Sequence, residues 1–174
     1  MEGNSPNNLE NIFMAYIREA LEKDFDQIWE IFHQIVSAGE TFAIHRYASK
    51  KKAHHIWIEQ PQKTYVCEIN KKILGTYYLK INHGGGGAHV CNCGYMVDMK
   101  AQGKGLGSMM CEHSQKIAKG LGYKAMQFNF VLVSNKQALN LWTKLGFDTV
   151  GKIPKAFDHP RIGYVDALVM HKWL

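Results

Sequence analysis

No stretch of this sequence stays apolar for the roughly 20 residues that a helix needs to cross a bilayer, so no membrane partner is expected. The opening residues, MEGNSPNN, are polar and lack the apolar segment of a secretory leader. Cysteine is sparse. Cys91 and Cys93 are separated by a single position, while Cys67 and Cys111 stand alone. That is no disulfide framework, and paired zinc ligands normally have about two to four residues between them. In a strand, Cys91 and Cys93 share one face as small apolar packing, so no metal site is expected. Free thiols without a leader point to a reducing cytoplasm. A dense basic run is missing too. "SKKKAHH" (49–55) is short and reads as a solvated helix end, so no nucleic-acid partner is expected. The formal net charge of +6 favours an anionic ligand of some other kind.

Apolar residues make up 46% of the chain, enough for one core, and 174 residues suit a single domain, 1–174. Residues 1–10 are expected to fray, and a first strand starts within 12–21. "DFDQIWEIFHQIV" (24–36) has its apolar residues at helical spacing, with Asp24 and Gln27 as a capping box. "SAGETFA" is a loop, and a second helix runs from about Ser49 to Glu59, ahead of Pro61. Strands are expected at 64–69, 73–81 and 89–99, with Gly94 marking a bulge or bend. "NHGGGGA" reads as a flexible connection. A helix from Leu106 ends at Gly120 and Gly122. A strand follows at 125–133, then a helix at 134–147 capped by Ser134 and Gln137 and stopped by Gly146. Short strands near 148–153 and 162–172 close the chain. The order β, α, α, a β meander, then β, α, β, α, β, β defines a mixed α/β or α+β domain.

"AQGKGLGS" (101–108) is the informative stretch, because a glycine run after a strand leads into a helix. First-turn N–H groups lack intrahelical partners and the helix dipole is positive there, so the place suits an anion. The P-loop spacing is not met by Gly103-Lys104-Gly105. The dinucleotide loop needs G-x-G-x-x-G and an acid about 20 residues on, and neither is present.

Gln102-Gly103-Lys104-Gly105-Leu106-Gly107 resembles the Gln/Arg-x-x-Gly-x-Gly/Ala signature of the GNAT superfamily of GCN5-related N-acetyltransferases. "GYMVDMKAQGKGLG" resembles that family's fourth strand and loop, and "SNKQALNLWTKLGF" its later Asn-x-x-Ala…Leu-Gly-Phe helix, so the likeness covers about 88–151. The resemblance implies a central, mostly antiparallel sheet flanked by helices and splayed between strands 4 and 5. It implies an acyltransferase that moves acetyl from acetyl-CoA to a primary amine by direct attack through a tetrahedral intermediate. Gln102, Gly103, Lys104, Gly105, Leu106, Gly107 and Ser108 would cradle the pyrophosphate. Tyr95, Met96 and Val97 would run beside the pantetheine arm, with the Val97 N–H at the oxyanion. Asn135 and Trp142 would close the cofactor site from the other side.

Two positions depart from the family pattern. Asn92 stands where a glutamate base is common; it can orient water but takes no proton. Trp142 stands where a tyrosine often protonates the leaving thiolate. Other candidate bases are Glu40, in the loop where the family meets its acceptor, and His159, expected in a loop between the last two strands. Tyr164 and Asp166 are further candidates for the acceptor pocket. The resemblance points to a small-molecule amine, such as an amino acid or an amine-bearing antimetabolite. A protein N-terminus, a lysine side chain, and a non-catalytic acyl-CoA-binding module stay open, as does a homodimer.

Overall fold

The computed structural model describes residues 15–174. The expected fraying of residues 1–10 and the start of the expected first strand lie outside them. Seven strands form one sheet in the order β1-β2-β3-β4-β5-β7-β6. They are β1 (Tyr16–Glu19), β2 (Lys63–Ile69), β3 (Lys72–Ile81), β4 (Val90–Val97), β5 (Ala125–Leu132), β6 (Asp148–His159) and β7 (Gly163–Trp173). Every neighbouring pair is antiparallel except β4 and β5. Those two pair in parallel only at Val90↔Ala125 and Cys91↔Met126, and then separate. The expected splay is present, and it leaves β4 from Asn92 to Val97 without a strand partner on that side.

The helices are α1 (Phe25–Ala38), α2 (Lys50–His54, continued by a wider turn over His55–Glu59), α3 (Leu106–Gly120) and α4 (Lys136–Lys144). They divide between the sheet faces. On one face α1 and α2 bury Ile28, Ile31, Phe32, Val36 and Trp57 against Val66, Ile73 and Met96. On the other, α3 and α4 bury Met110, Cys111, Ala118 and Trp142 against Tyr77, Leu79, Cys91, Cys93 and Phe128. Alternation along β4 sends Cys91, Cys93 and Tyr95 one way and Met96 the other. All four cysteines are free and buried, and burial pushes the Cys67 and Cys111 thiols up to about 11.

Local signals from the sequence hold where no distant partner competes. Gly39 ends α1 at φ 68°, and Ser49 caps α2 by accepting from the Lys52 N–H. Five readings change. The Asp24–Gln27 capping box does not form. The Arg18 guanidinium grips Asp24 at 2.6 and 2.9 Å and also holds Glu68, while Gln27 Oε1 accepts from Ile73 N of β3. Asn135, not Ser134 with Gln137, caps α4: its side chain accepts from the Ala138 N–H. Gly94 is no bulge, since the β3–β4 register runs unbroken from Gly75↔Val97 to Ile81↔Cys91. It is a glycine because a Cβ there would lie 2.6 Å from the Tyr78 ring. β6 runs on to His159 instead of stopping near residue 153. As an edge strand it absorbs Gly151 and Pro154 at two register shifts, so His159 is a buried strand residue paired with Gly163. "NHGGGGA" is a hydrogen-bonded connection of the β3–β4 hairpin, with Asn82 N donating to Val90 O.

Candidate functional site

The glycine stretch folds into a tight turn that leads into α3. Gly103 and Gly105 have φ of 77° and 78°, the left-handed region that glycine enters without strain. Nothing lies within 4 Å of where a Cβ would stand at either, so open space fronts both. Gly107 has a different reason: a Cβ would meet Leu141 Cδ2 of α4 at 3.2 Å. α3 has no side-chain cap. Among the described residues, the backbone N–H groups of Gly105, Leu106, Gly107 and Ser108 find no acceptor. Four free donors at a positive helix end, facing a hollow, fit a diphosphate. That hollow of about 340 Å³ is bounded by the 101–108 loop, Val97 and Tyr95 on one side and by Asn135, Ala138, Leu141 and Trp142 on the other. Lys104 is exposed and does not border it, and the Met96 side chain packs on the opposite face of the sheet.

A second cavity, of about 380 Å³, opens on the α1–α2 side of the fork. Its floor is Tyr78, Lys80, Asn92 and Gly94; Thr41, Phe42 and Ala43 cover it, and Asn129 and Phe130 of β5 form a wall. Tyr95, Asn135, Ala138 and Trp142 border both cavities, so the two meet through the gap between β4 and β5. Asn92 keeps that gap open. Its Nδ2 donates to Gln127 O at 2.9 Å, where the next ladder bond would fall, and its Oδ1 accepts from Tyr78 OH at 3.2 Å. Burial pushes the Tyr78 phenol up to about 12, so it remains a donor at neutral pH. Trp142 packs its ring, tilted, 5.1 Å from Tyr95 and 5.0 Å from Phe128. Its indole N–H donates to no described group.

Glu40 and His159 come together, apart from Asn92. They border a third hollow with Ser134, Asn135 and Arg161, and Asn135 lines all three. Glu40 Oε1 is 2.9 Å from Arg161 Nη2. The Arg161 N–H donates to His159 Nδ1 at 3.3 Å, so the neutral ring carries its proton on Nε2. Tyr164 and Asp166 do not reach these cavities. Tyr164 is exposed, and Asp166 accepts from Lys155 N and pairs with Lys152. Sequence reasoning missed Tyr78, Lys80 and Asn129. The sole signal for Tyr78 was Gly94, and its meaning depends on the strand register.

Residues 17–147 match the model of the acetyltransferase (GNAT) family. The chain belongs to that family. It is 37% identical to a GCN5-related N-acetyltransferase from Kribbella flavida, with a TM-score of 0.88 over 92% of this chain and 98% of that one. It is 34% identical over 101 residues to the N-acetyltransferase aca1 of Schizosaccharomyces pombe, covering 56% of this chain and 47% of that protein. A protein of Saccharomyces cerevisiae, SPT10, is 30% identical over 86 residues, which are 49% of this chain and 13% of that protein. The chain thus spans about half or less of the curated relatives that it matches. The yncA protein of Salmonella typhimurium, solved with acetyl-CoA, shares the fold at 22% identity, a TM-score of 0.80, and coverage of 92% of this chain and 94% of that one. Acetyl-CoA is the family's acetyl donor. No helix among the described residues is long and apolar enough to cross a membrane.

Proposed function

We propose that this chain transfers acetyl from acetyl-CoA to the primary amine of a small molecule. The observation that carries the reading is the meeting of two cavities at the β4–β5 gap, one ending in free backbone donors and the other covered. Acetyl-CoA supplies the activated acetyl group as a thioester. Gly105, Leu106, Gly107 and Ser108 offer their N–H groups to its diphosphate, with Gln102 and Gly103 shaping the turn. The unpartnered edge of Tyr95, Met96 and Val97 offers strand-like bonds to the pantetheine arm, Val97 N–H polarises the acetyl carbonyl, and Asn135 and Trp142 close the other side. Lys104 adds only a distant positive charge.

The acceptor enters from the α1–α2 side. A hollow of about 380 Å³ under a loop suits a small molecule more than a folded protein surface. An unperturbed alkylammonium has a pKa of about 10.4, so the attacking amine must lose a proton. Among the described residues, no carboxylate or histidine borders this cavity. Asn92 orients water at its floor. Past Asn135, Glu40 takes the proton through water on the carboxylate oxygen other than the one paired with Arg161, while His159 uses Nδ1 as an acceptor and serves to position the rim.

The test is acetyl-CoA-dependent thiol release across a panel of small primary amines, short peptides with free N-termini, and lysine peptides. Turnover confined to small amines is expected. Preferential turnover of peptides would move the acceptor to proteins, and cofactor binding without turnover of any amine would leave only a binding module.

A further inference from the structure

Among the described residues, the covered cavity holds one side chain of fixed positive charge, Lys80, and no side chain of negative charge. Lys80 lies on β3 in register with Asn92 of β4, and its Nζ stands 5.2 Å from the Tyr78 ring centroid. That ring lies against Gly94, at the gap where the two cavities meet. Lys80 is half-buried, and no described carboxylate lies within ion-pair distance of it. The carboxylate of the adjoining hollow, Glu40, is already engaged by Arg161.

An amide donor borders the same cavity. Gln127 Nε2 donates to Asn129 Oδ1 at 2.8 Å, and Asn129 Nδ2 donates to Asn82 Oδ1 at 2.7 Å. This relay fixes how the Asn82 amide is turned, and leaves its Nδ2 buried with no acceptor among the described residues. A half-buried ammonium without a counter-ion, beside a buried amide N–H without an acceptor, is costly in an empty pocket and is complementary to an oxyanion in a filled one.

We infer that the acceptor carries a carboxylate as well as its amine, and that Lys80, with the Asn82–Asn129 pair, forms the subsite for it. This rests on the acetyl-transfer reading of the same site. The carboxylate docks at Lys80, and the amine is thereby turned toward the gap beside Gly94 and Tyr95. A lysine side chain within a protein, or a peptide N-terminus, brings a neutral amide in place of the carboxylate and leaves Lys80 unpaired.

The experiment uses the full chain with acetyl-CoA, the twenty common L-amino acids and the carboxamide of each. At least one amino acid is expected to exceed its carboxamide more than tenfold in kcat/KM. In Lys80→Met that ratio falls roughly tenfold to hundredfold, the worth of one charge-assisted contact, while Lys80→Arg keeps most of it. Calorimetric titration with acetyl-CoA, together with a thermal melt, shows that each variant is folded and loads its cofactor. Carboxamides or peptides acetylated as well as the free acids, or a ratio that Lys80→Met leaves in place, overturns the subsite while acetyl transfer stands. Failure to bind acetyl-CoA, or to release CoA with any amine, overturns both.

Discussion

The two halves of the site are built in opposite ways. The half proposed for the cofactor draws its donors from consecutive residues, Gly105 to Ser108, and uses backbone rather than side chains. The half proposed for the acceptor draws Thr41 and Phe42 from one loop, Tyr78 and Lys80 from β3, Asn92 from β4 and Asn129 from β5. A backbone cradle depends on φ angles that only a few residue types accept, so it writes a motif into the sequence. A side-chain pocket assembled across strands depends on register and leaves none.

Breaking the wall that the halves share should have the largest effect. Trp142→Ala removes a buried ring packed on Tyr95 and Phe128, and should cost about 3–5 kcal/mol in denaturant unfolding. Trp142→Phe should keep much of kcat and raise KM for acetyl-CoA a few-fold, because the indole N–H does not dissociate near neutral pH. A hundredfold loss of kcat in a folded Trp142→Phe protein would give the indole a direct chemical role.

Next comes the cradle alone. Gly105→Val should weaken acetyl-CoA binding by roughly a hundredfold, the worth of one or two charge-assisted contacts. The φ of 78° also strains a side chain there, so a lower melting temperature should accompany the loss. Calorimetric titration gives the decisive number, and normal affinity in the folded variant would remove the cradle from the site. Glu40→Gln tests the far side. It should slow turnover roughly tenfold or more at pH 7, with the gap narrowing as pH rises and more amine is free. An unchanged pH–rate profile would route the proton to bulk water past Asn92.

The smallest effects concern stability against pH, and they fall mainly on the acceptor half. The hydrogen bond from Arg18 holds the Asp24 carboxyl below its usual range. Its contribution is therefore complete above about pH 4 and is lost as pH falls through the depressed folded value. The hydrogen bond to Glu59, and then that to Glu22, raise the His54 pKa. That contribution is complete below about pH 6.5 and is lost as pH rises through the raised value. Residues 101–108 contain no carboxylate or histidine. Segment-resolved hydrogen exchange should therefore show the α1–α2 half loosening before the cradle as pH rises through the His54 value, whereas in acid His113 of α3, held below its ordinary value by burial, loosens the helix behind the cradle as well. Equal loosening of both halves as pH rises would refute this division.

The sequence by itself determined the order of elements, the apolar faces of α1 and α4, the glycine cradle and the family. All of these rest on spacing within one segment, where backbone geometry links neighbours directly. Only the tertiary structure decided the rest. It moved the cap of α4 to Asn135, whose side chain accepts from the Ala138 N–H, and turned Asp24 to the Arg18 guanidinium and the Leu21 N–H instead of the first turn of α1. It carried β6 through Pro154, because an edge strand needs no donor there. It set Tyr78 against Gly94, Asn92 against Gln127, and Lys80 in a cavity without a carboxylate. Those pairs lie 16, 35 and more residues apart in the chain or depend on what is absent nearby, and a strand register brings them together.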